Sequence, residues 1–393
     1  LYPFYEILPV KSNSGNWLVN GGKTNTADIP SLVSTLLTWE RVRSFNVGFD
    51  FGAFSNRLTG SFDYFVRKTV DMVGPAPQLP LVLGIAPAIV NNADMKSYGF
   101  EIELSWRDRI GEVDYGVKFN LADAQQKVVK YPNTTNAFSD WYAGKMSGEI
   151  WGYTSLGIAK TDEEMKEHLA SLPNGGQNQL GNKWGAGDIM YADINGDGKV
   201  DGGKGTLADP GDQRIIGNST PRYNFGLVLD ASYKGFDVSI FFQGVGKRDY
   251  APIVGTNGAV FWGAVNNIWQ SMAMEEHFDY FRPEGHPMGA NLNGYYPRPD
   301  FTSNKNHQVQ TRYLQDASYI RLKNLQIGYT LPKQWINKLH INRCRVYVSG
   351  DNLWTGTSLA SMFDPETLAA GDWGSGKTYP LSKVISFGLN VNF

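Results

Sequence analysis

Residues 98–106 read Tyr98-Gly99-Phe100-Glu101-Ile102-Glu103-Leu104-Ser105-Trp106. Tyr98, Phe100, Ile102, Leu104 and Trp106 take every second position. Gly99, Glu101, Glu103 and Ser105 fill the gaps. Side chains alternate across a strand with a period of two, so the segment has one apolar and one polar face.

The same alternation recurs along the chain. In Arg43–Phe51 the apolar face is Phe45, Val47, Phe49 and Phe51; in Leu58–Val66 it runs from Leu58 to Val66 through Phe62 and Tyr64. Tyr115, Val117, Phe119 and Leu121 alternate with Gly116, Lys118 and Asn120. The pattern returns in Tyr223–Tyr233, Phe236–Gln243, Ile320–Leu331, Cys344–Asn352 and Ile385–Phe393. A register shift near Lys323–Asn324 predicts a bulge. The chain therefore reads as all-β, with about ten strands.

Such strands also suit a water-soluble antiparallel sheet with one wet face. Two features favour a transmembrane antiparallel β-barrel. Tyr98 and Trp106 end one apolar stripe, and Tyr223 and Tyr233 end another; aromatic ends on an apolar band are the girdle of a membrane barrel. The connections also alternate in length. Those at Ala53–Asn56, Arg107–Glu112, Lys234–Gly235 and Pro332–Ile341 are short, and those near 69–96, 123–221, 246–317 and 353–381 are long. Short periplasmic turns and long extracellular loops are the outer-membrane pattern.

The composition agrees. The 393 residues carry a net charge of −2, which gives no basic surface for nucleic acid. Aromatics make up 13%. The single cysteine, Cys344, excludes an intramolecular disulfide. No apolar run reaches the length of a transmembrane helix. The chain opens Leu1-Tyr2-Pro3, so either processing removed the start or the sequence is a piece of a longer polypeptide.

One loop carries ion-type chemistry. Asp193-Ile194-Asn195-Gly196-Asp197-Gly198-Lys199-Val200-Asp201 matches the first nine positions of an EF-hand-type calcium loop. Asp193, Asn195, Asp197, the Lys199 carbonyl and Asp201 are its candidate ligands. Position twelve is Lys204, so Asp212, beyond the Gly202–Gly211 insertion, or Asp209 would complete the shell. Calcium suits so many protein oxygens in a flexible loop better than magnesium does. The alternative is a bare Asx/Gly turn.

The long loops offer other candidates. Thr161 or Asp162 caps a short helix running to about Leu172. Trp262, Trp269, Tyr280, Tyr295 and Tyr296 are candidates for contact with a substrate or partner; equally, they suit a compact loop packed by its own side chains. No pair among His168, His277, His286, His307 and His340 has metal spacing, and there is no nucleophile elbow or phosphate loop. Glu101 and Glu103, about 7 Å apart on one strand face, are a spacing that glycosidases use. A polar lumen wall explains them with less, and no catalytic residue is assigned.

Several motifs together resemble the C-terminal part of the barrel of SusC/RagA-family TonB-dependent outer-membrane transporters. They include Thr38-Trp39-Glu40, Asn46-Val47-Gly48-Phe49-Asp50, Tyr98-Gly99-Phe100-Glu101 and Gly187-Asp188-Ile189 ahead of the Asp193 loop. Arg214-Ile215-Ile216-Gly217-Asn218, Tyr233-Lys234-Gly235-Phe236-Asp237, Ile320-Arg321-Leu322-Lys323-Asn324-Leu325, Asn352-Leu353-Trp354 and Asp364-Pro365-Glu366 follow in order. The resemblance implies the second half of a barrel of about 22 strands. Residues 1–393 would be one barrel portion, with loop 123–221 carrying the calcium-type loop at 193–212. The plug domain is absent from this sequence.

The resemblance further implies import of glycans or peptides, a SusD-like surface lipoprotein as partner, and contact with the TonB complex through the missing N-terminal region. Rival readings are a calcium-stabilised soluble β-sandwich that binds or adheres, and a passive porin.

Overall fold

The fold is described from a computed structural model, which covers residues 7–30, 32–34, 37–74, 82, 88–251, 259–263, 274–301, 303–336, 340–368 and 378–393. Nine long strands dominate it: β1 Arg41–Ala53, β2 Leu58–Gly74, β3 Val90–Ile110, β4 Val113–Lys130, β5 Arg222–Tyr233, β6 Phe236–Lys247, β7 Tyr319–Thr330, β8 Arg343–Thr357 and β9 Val384–Asn392. They form one sheet in sequence order, with β1 and β9 at its edges. β4 to β9 pair antiparallel throughout.

The register sorts the two faces across six strands. Val117, Leu229, Ile240, Leu325, Gly350 and Ile385 make one cross-strand row. The adjacent row is Gly116, Asp230, Ser239, Gln326, Ser349 and Ser386. Slipping one strand by one residue would put its apolar set on the polar face, so this pattern fixes the register. The expected bulge is at Lys323: Asn324 pairs with Phe241 and Asp351, and Leu322 with Phe242 and Trp354. It keeps Leu322 on the apolar face and Arg321 on the polar face.

Among the described residues, large side chains of the apolar face stand open. Phe387 is 85% exposed, Ile385 67% and Phe236 57%. The turn between β5 and β6 is Lys234–Gly235, and both residues have positive φ, 48° and 90°. That is the two-residue turn whose twist matches a hairpin.

The alternating segments of the sequence mark only part of each strand. β3 has 21 residues, about twice what a tilted strand needs to cross a bilayer. In its first part Asn92, Asp94 and Lys96 take the face that Tyr98 to Trp106 make apolar further on, so the apolar stripe does not extend into it.

By contacts the chain divides into two units. The first comprises Leu1–Asn46, Phe65–Tyr98 and Gln126–Met146, and the second Val47–Tyr64, Gly99–Gln125 and Ser147–Phe393. The first unit holds two small ladders, Val10–Lys11 with Thr26–Ala27 and Leu18–Val19 with Gly22–Lys23. In it Arg41 pairs with Asp71 at 2.5 Å, and Asn91 accepts from the Thr38 N–H and donates to the Thr38 carbonyl. The second unit holds the buried hydrophobic core. That core lies in the long connections, not between sheets: it includes Tyr153, Ile189, Tyr191, Val200, Phe261, Trp262, Tyr296, Tyr313 and Phe363.

Candidate functional site

The connections 131–221 and 248–318 are held together by one buried carboxylate. Asp188 is fully buried. It accepts from Arg298 Nε at 2.8 Å and Nη2 at 2.6 Å, Lys305 Nζ at 3.0 Å, Asn306 Nδ2 at 2.9 Å and the Gly185 N–H at 2.9 Å. Lys305, only 1% exposed, also donates to the Asn182 and Lys183 carbonyls. A buried charge is tolerated when it is paired and its donors are used, and both conditions hold here. Around this group the Tyr191 hydroxyl donates to the Lys305 carbonyl, and Gln310 donates to the Tyr191 hydroxyl. Gly187-Asp188-Ile189 stood out in the sequence as a motif. Its partners lie 110 and 117 positions away, and nothing local marks them.

The aspartate loop has the folding of its sequence type. Asp193 accepts from the Gly196 N–H at 2.7 Å and the Gly198 N–H at 2.8 Å. Asn195 accepts from the Asp197 N–H, and Asp197 from the Lys199 N–H. Gly198 has φ 80°, and a Cβ there would stand 2.9 Å from Asn174 Nδ2; the sharp turn requires glycine. Asp212 closes the loop. Its carboxylate is fully buried and accepts from the backbone N–H groups of Ile194, Asn195 and Asp201. Burial raises its pKa above the ordinary carboxylate value, opposed by those N–H groups. Asp209 instead closes the glycine-rich insertion, where its carbonyl accepts from Lys204 and Thr206.

Lys199 supplies the counter-charge within the loop. Its ammonium lies 2.5 Å from Asp201 and 3.8 Å from Asp197, and the contact lowers the pKa of Asp201. Among the described residues no three acidic or imidazole side chains converge as a ready-made metal cage. The oxygens nevertheless match a hard cation in kind and order, and each Asp193 carboxylate oxygen, which accepts one N–H, keeps a second lone pair.

The aromatic candidates divide by burial. Trp262 and Tyr296 are each 1% exposed and lie in the core, with Phe261 and Tyr313 around them. Tyr295 is half-buried, and its hydroxyl accepts from Gln315. Trp262 and Tyr296 thus belong to the compact, self-packed loop, and Tyr295 packs against it. Tyr280 is likewise half-buried and packs against the core, with Arg282 over its ring at 5.1 Å. Trp269 lies outside the described residues. The helix forms as expected, as α1 Asp162–Ala170, with the Thr161 side chain accepting from the Glu164 N–H.

On the polar face of β7, Arg321 is 3% exposed and donates to Asp364 at 2.6 Å and Glu366 at 2.7 Å; Lys323 pairs with Glu366 at 2.6 Å. The two sequence motifs at 320–325 and 364–366 are thus halves of one ion cluster. It pins a long connection to the sheet's polar face.

Comparison with known proteins supports one family. Residues 5–353 match the model described as TonB dependent receptor-like, beta-barrel. TonB-dependent receptor P3 of Formosa agariphila is 28% identical over 419 residues, covering 99% of this chain and 38% of the relative. TonB-dependent receptor SusC of Bacteroides thetaiotaomicron is 21% identical over 380 residues, covering 93% of this chain and 33% of the relative. The solved structure of the RagAB peptide transporter superposes with a TM-score of 0.70 at 22% identity, covering 99% of this chain and 38% of that one. The chain thus spans well under half the length of the relatives it matches, as part of a larger barrel. It belongs to the TonB dependent receptor-like, beta-barrel family of outer-membrane proteins.

Proposed function

We propose that this chain is part of the wall and the extracellular mouth of a TonB-dependent importer of large nutrients, glycans or peptides. The observation that carries the reading is the sheet with one bare apolar face and one polar face, whose long connections fold into a core of their own. Lipid would cover the first face and an aqueous lumen the second. A soluble sandwich would bury that apolar face. A passive porin needs no welded loop core of this size. The named relatives are receptors and a peptide transporter, and the chain's role is transport, not catalysis.

A SusD-like lipoprotein is the proposed partner on the extracellular face, and contact with TonB belongs to the part of the protein outside this sequence. In the test, the full transporter is expressed in its host with and without an energised inner membrane. Uptake of an oligosaccharide or peptide that stops on de-energisation supports the importer; uptake that persists supports a pore.

Calcium is the proposed structural ion of the 193–212 loop, held by Asp193, Asn195, Asp197, the Lys199 carbonyl, Asp201 and Asp212. Bound there, it would neutralise carboxylates that Lys199 alone offsets in part. Metal analysis of purified protein should find calcium, and chelation should expose the loop to protease. Absence of calcium together with unchanged proteolysis reduces the loop to a turn.

A further inference from the structure

Beside the Asp188 group lies a polar cleft of about 430 Å³, lined by Gly181, Asn182, Lys183, Arg298, Asp300 and Lys305, with Ser303 at its edge. Its charges do not balance. Asp188 is shared by Arg298 and Lys305, and Asp300 lies 3.7 Å from Lys305. Three positive groups, Lys183, Arg298 and Lys305, thus face two carboxylates.

The donors are not all used either. Lys305 spends its three N–H bonds on Asp188 and the Asn182 and Lys183 carbonyls. Arg298 uses Nε and Nη2, and among the described residues nothing accepts from Nη1. The Lys183 backbone sits at φ 56°, an unfavourable angle for a non-glycine residue. That geometry lets its carbonyl accept from both Arg298 at 2.8 Å and Lys305 at 3.0 Å. The side chain of Lys183 is left exposed at the rim, with no ion-pair partner among the described residues.

The geometry points to a carboxylate-binding subsite in this cleft, with Arg298 Nη1 and Lys183 as the charged donors and the Ser303 hydroxyl as a neutral one. A fixed guanidinium nitrogen beside a mobile ammonium suits a carboxylate, and the buried Lys305–Asp188 pair holds the guanidinium in place. The carboxylate could come from an acidic sugar or from a peptide C-terminus. This inference rests on the importer reading only for its physiological meaning; the binding itself is measurable without transport.

The experiment uses the purified full transporter and calorimetric titration with four probes: trigalacturonate, a neutral trisaccharide, an N-acetylated tripeptide acid and its C-terminal amide. Binding of trigalacturonate alone identifies a uronate source, and binding of the peptide acid alone a peptide source. In either case Lys183→Gln should weaken binding about tenfold, the size of one lost charge-assisted hydrogen bond. Arg298→Gln should weaken it more. It also disturbs Asp188, so Lys183→Gln, whose side chain holds nothing else in place, is the deciding variant.

Equal binding of the amide or the neutral sugar overturns the proposal, and so does unchanged affinity in Lys183→Gln. If no probe binds, the cleft is only the outer side of a structural ion cluster. Energy-dependent uptake measured in parallel separates the two readings: uptake with no carboxylate binding keeps the importer and removes the subsite, and binding with no uptake does the reverse.

Discussion

The sheet and the loop core of the second unit are built on opposite rules. In the sheet, Phe387, Ile385 and Leu389 stand open at 85, 67 and 64% exposure. In the loop core, Asp188, Lys305 and Asn306 are buried at 0, 1 and 0%. The difference is one of solvent. The outer face of the sheet meets outer-membrane lipid, where an exposed phenylalanine costs nothing and a charge is expensive. The loop core must exclude water by itself, and it locks two long connections with paired charges and stacked rings. A hydrophobicity ranking alone would mistake the first region for misfolded and the second for soluble surface.

Removing Asp188 is the strongest way to break the contrast. Asp188→Ala leaves the buried Lys305 with only the more distant Asp300, at 3.7 Å, and takes from Arg298 its carboxylate; breaking a buried pair in this way costs about 3–5 kcal/mol. The connections 131–221 and 248–318 should become protease-sensitive while the barrel keeps its heat-modifiable mobility on gels. Loss of the barrel as well would mean that the two regions fold as one.

The sheet is challenged next, through its faces. Ile240→Arg, on the apolar row, should cost about 2–4 kcal/mol in a denaturant titration in lipid vesicles, and Ser239→Arg, on the polar row, far less. Equal costs would erase the distinction between lipid and lumen.

A pH titration probes the loop core more gently. His307 is buried against the Trp262 ring at 4.4 Å, and among the described residues neither ring nitrogen has a hydrogen-bond partner. Burial lowers its pKa from 6.5 to about 4. The unfolded chain then binds the proton more readily than the folded one. Stability is therefore whole above pH 6.5 and falls as the pH drops toward 4, by roughly 2 kcal/mol at pH 5. His307→Phe should remove that part of the acid sensitivity of loop proteolysis; an unchanged profile would assign it to other groups.

The smallest effect is local. Thr161→Ala removes the N-cap of α1 and should cost about 1 kcal/mol. Faster amide exchange confined to residues 162–170 would confirm it, and exchange spreading to Ile189 or Tyr191 would show that the helix supports the core.

Sequence alone determined the strands, because a period of two is a local property that needs no partner to be read. It placed all nine long strands, the bulge near Lys323–Asn324 and the short turn at Lys234–Gly235, and it narrowed the helix cap to Thr161 or Asp162. It also marked the Asp193–Asp201 loop, since those turn bonds span at most a few residues.

It did not mark the first part of β3, where Asn92, Asp94 and Lys96 occupy the face that is apolar from Tyr98 onward and the stripe stops. Nor did it distinguish Trp262 and Tyr296, buried, from Tyr280 and Tyr295, half-buried, because burial of a loop aromatic depends on what the rest of the chain brings to it. The joining of Asp188 to Arg298 and Lys305, and of Arg321 to Asp364 and Glu366, was decided only by the tertiary structure. Those pairs are long-range in sequence, and a charge carries no local sign of the partner that will make its burial tolerable.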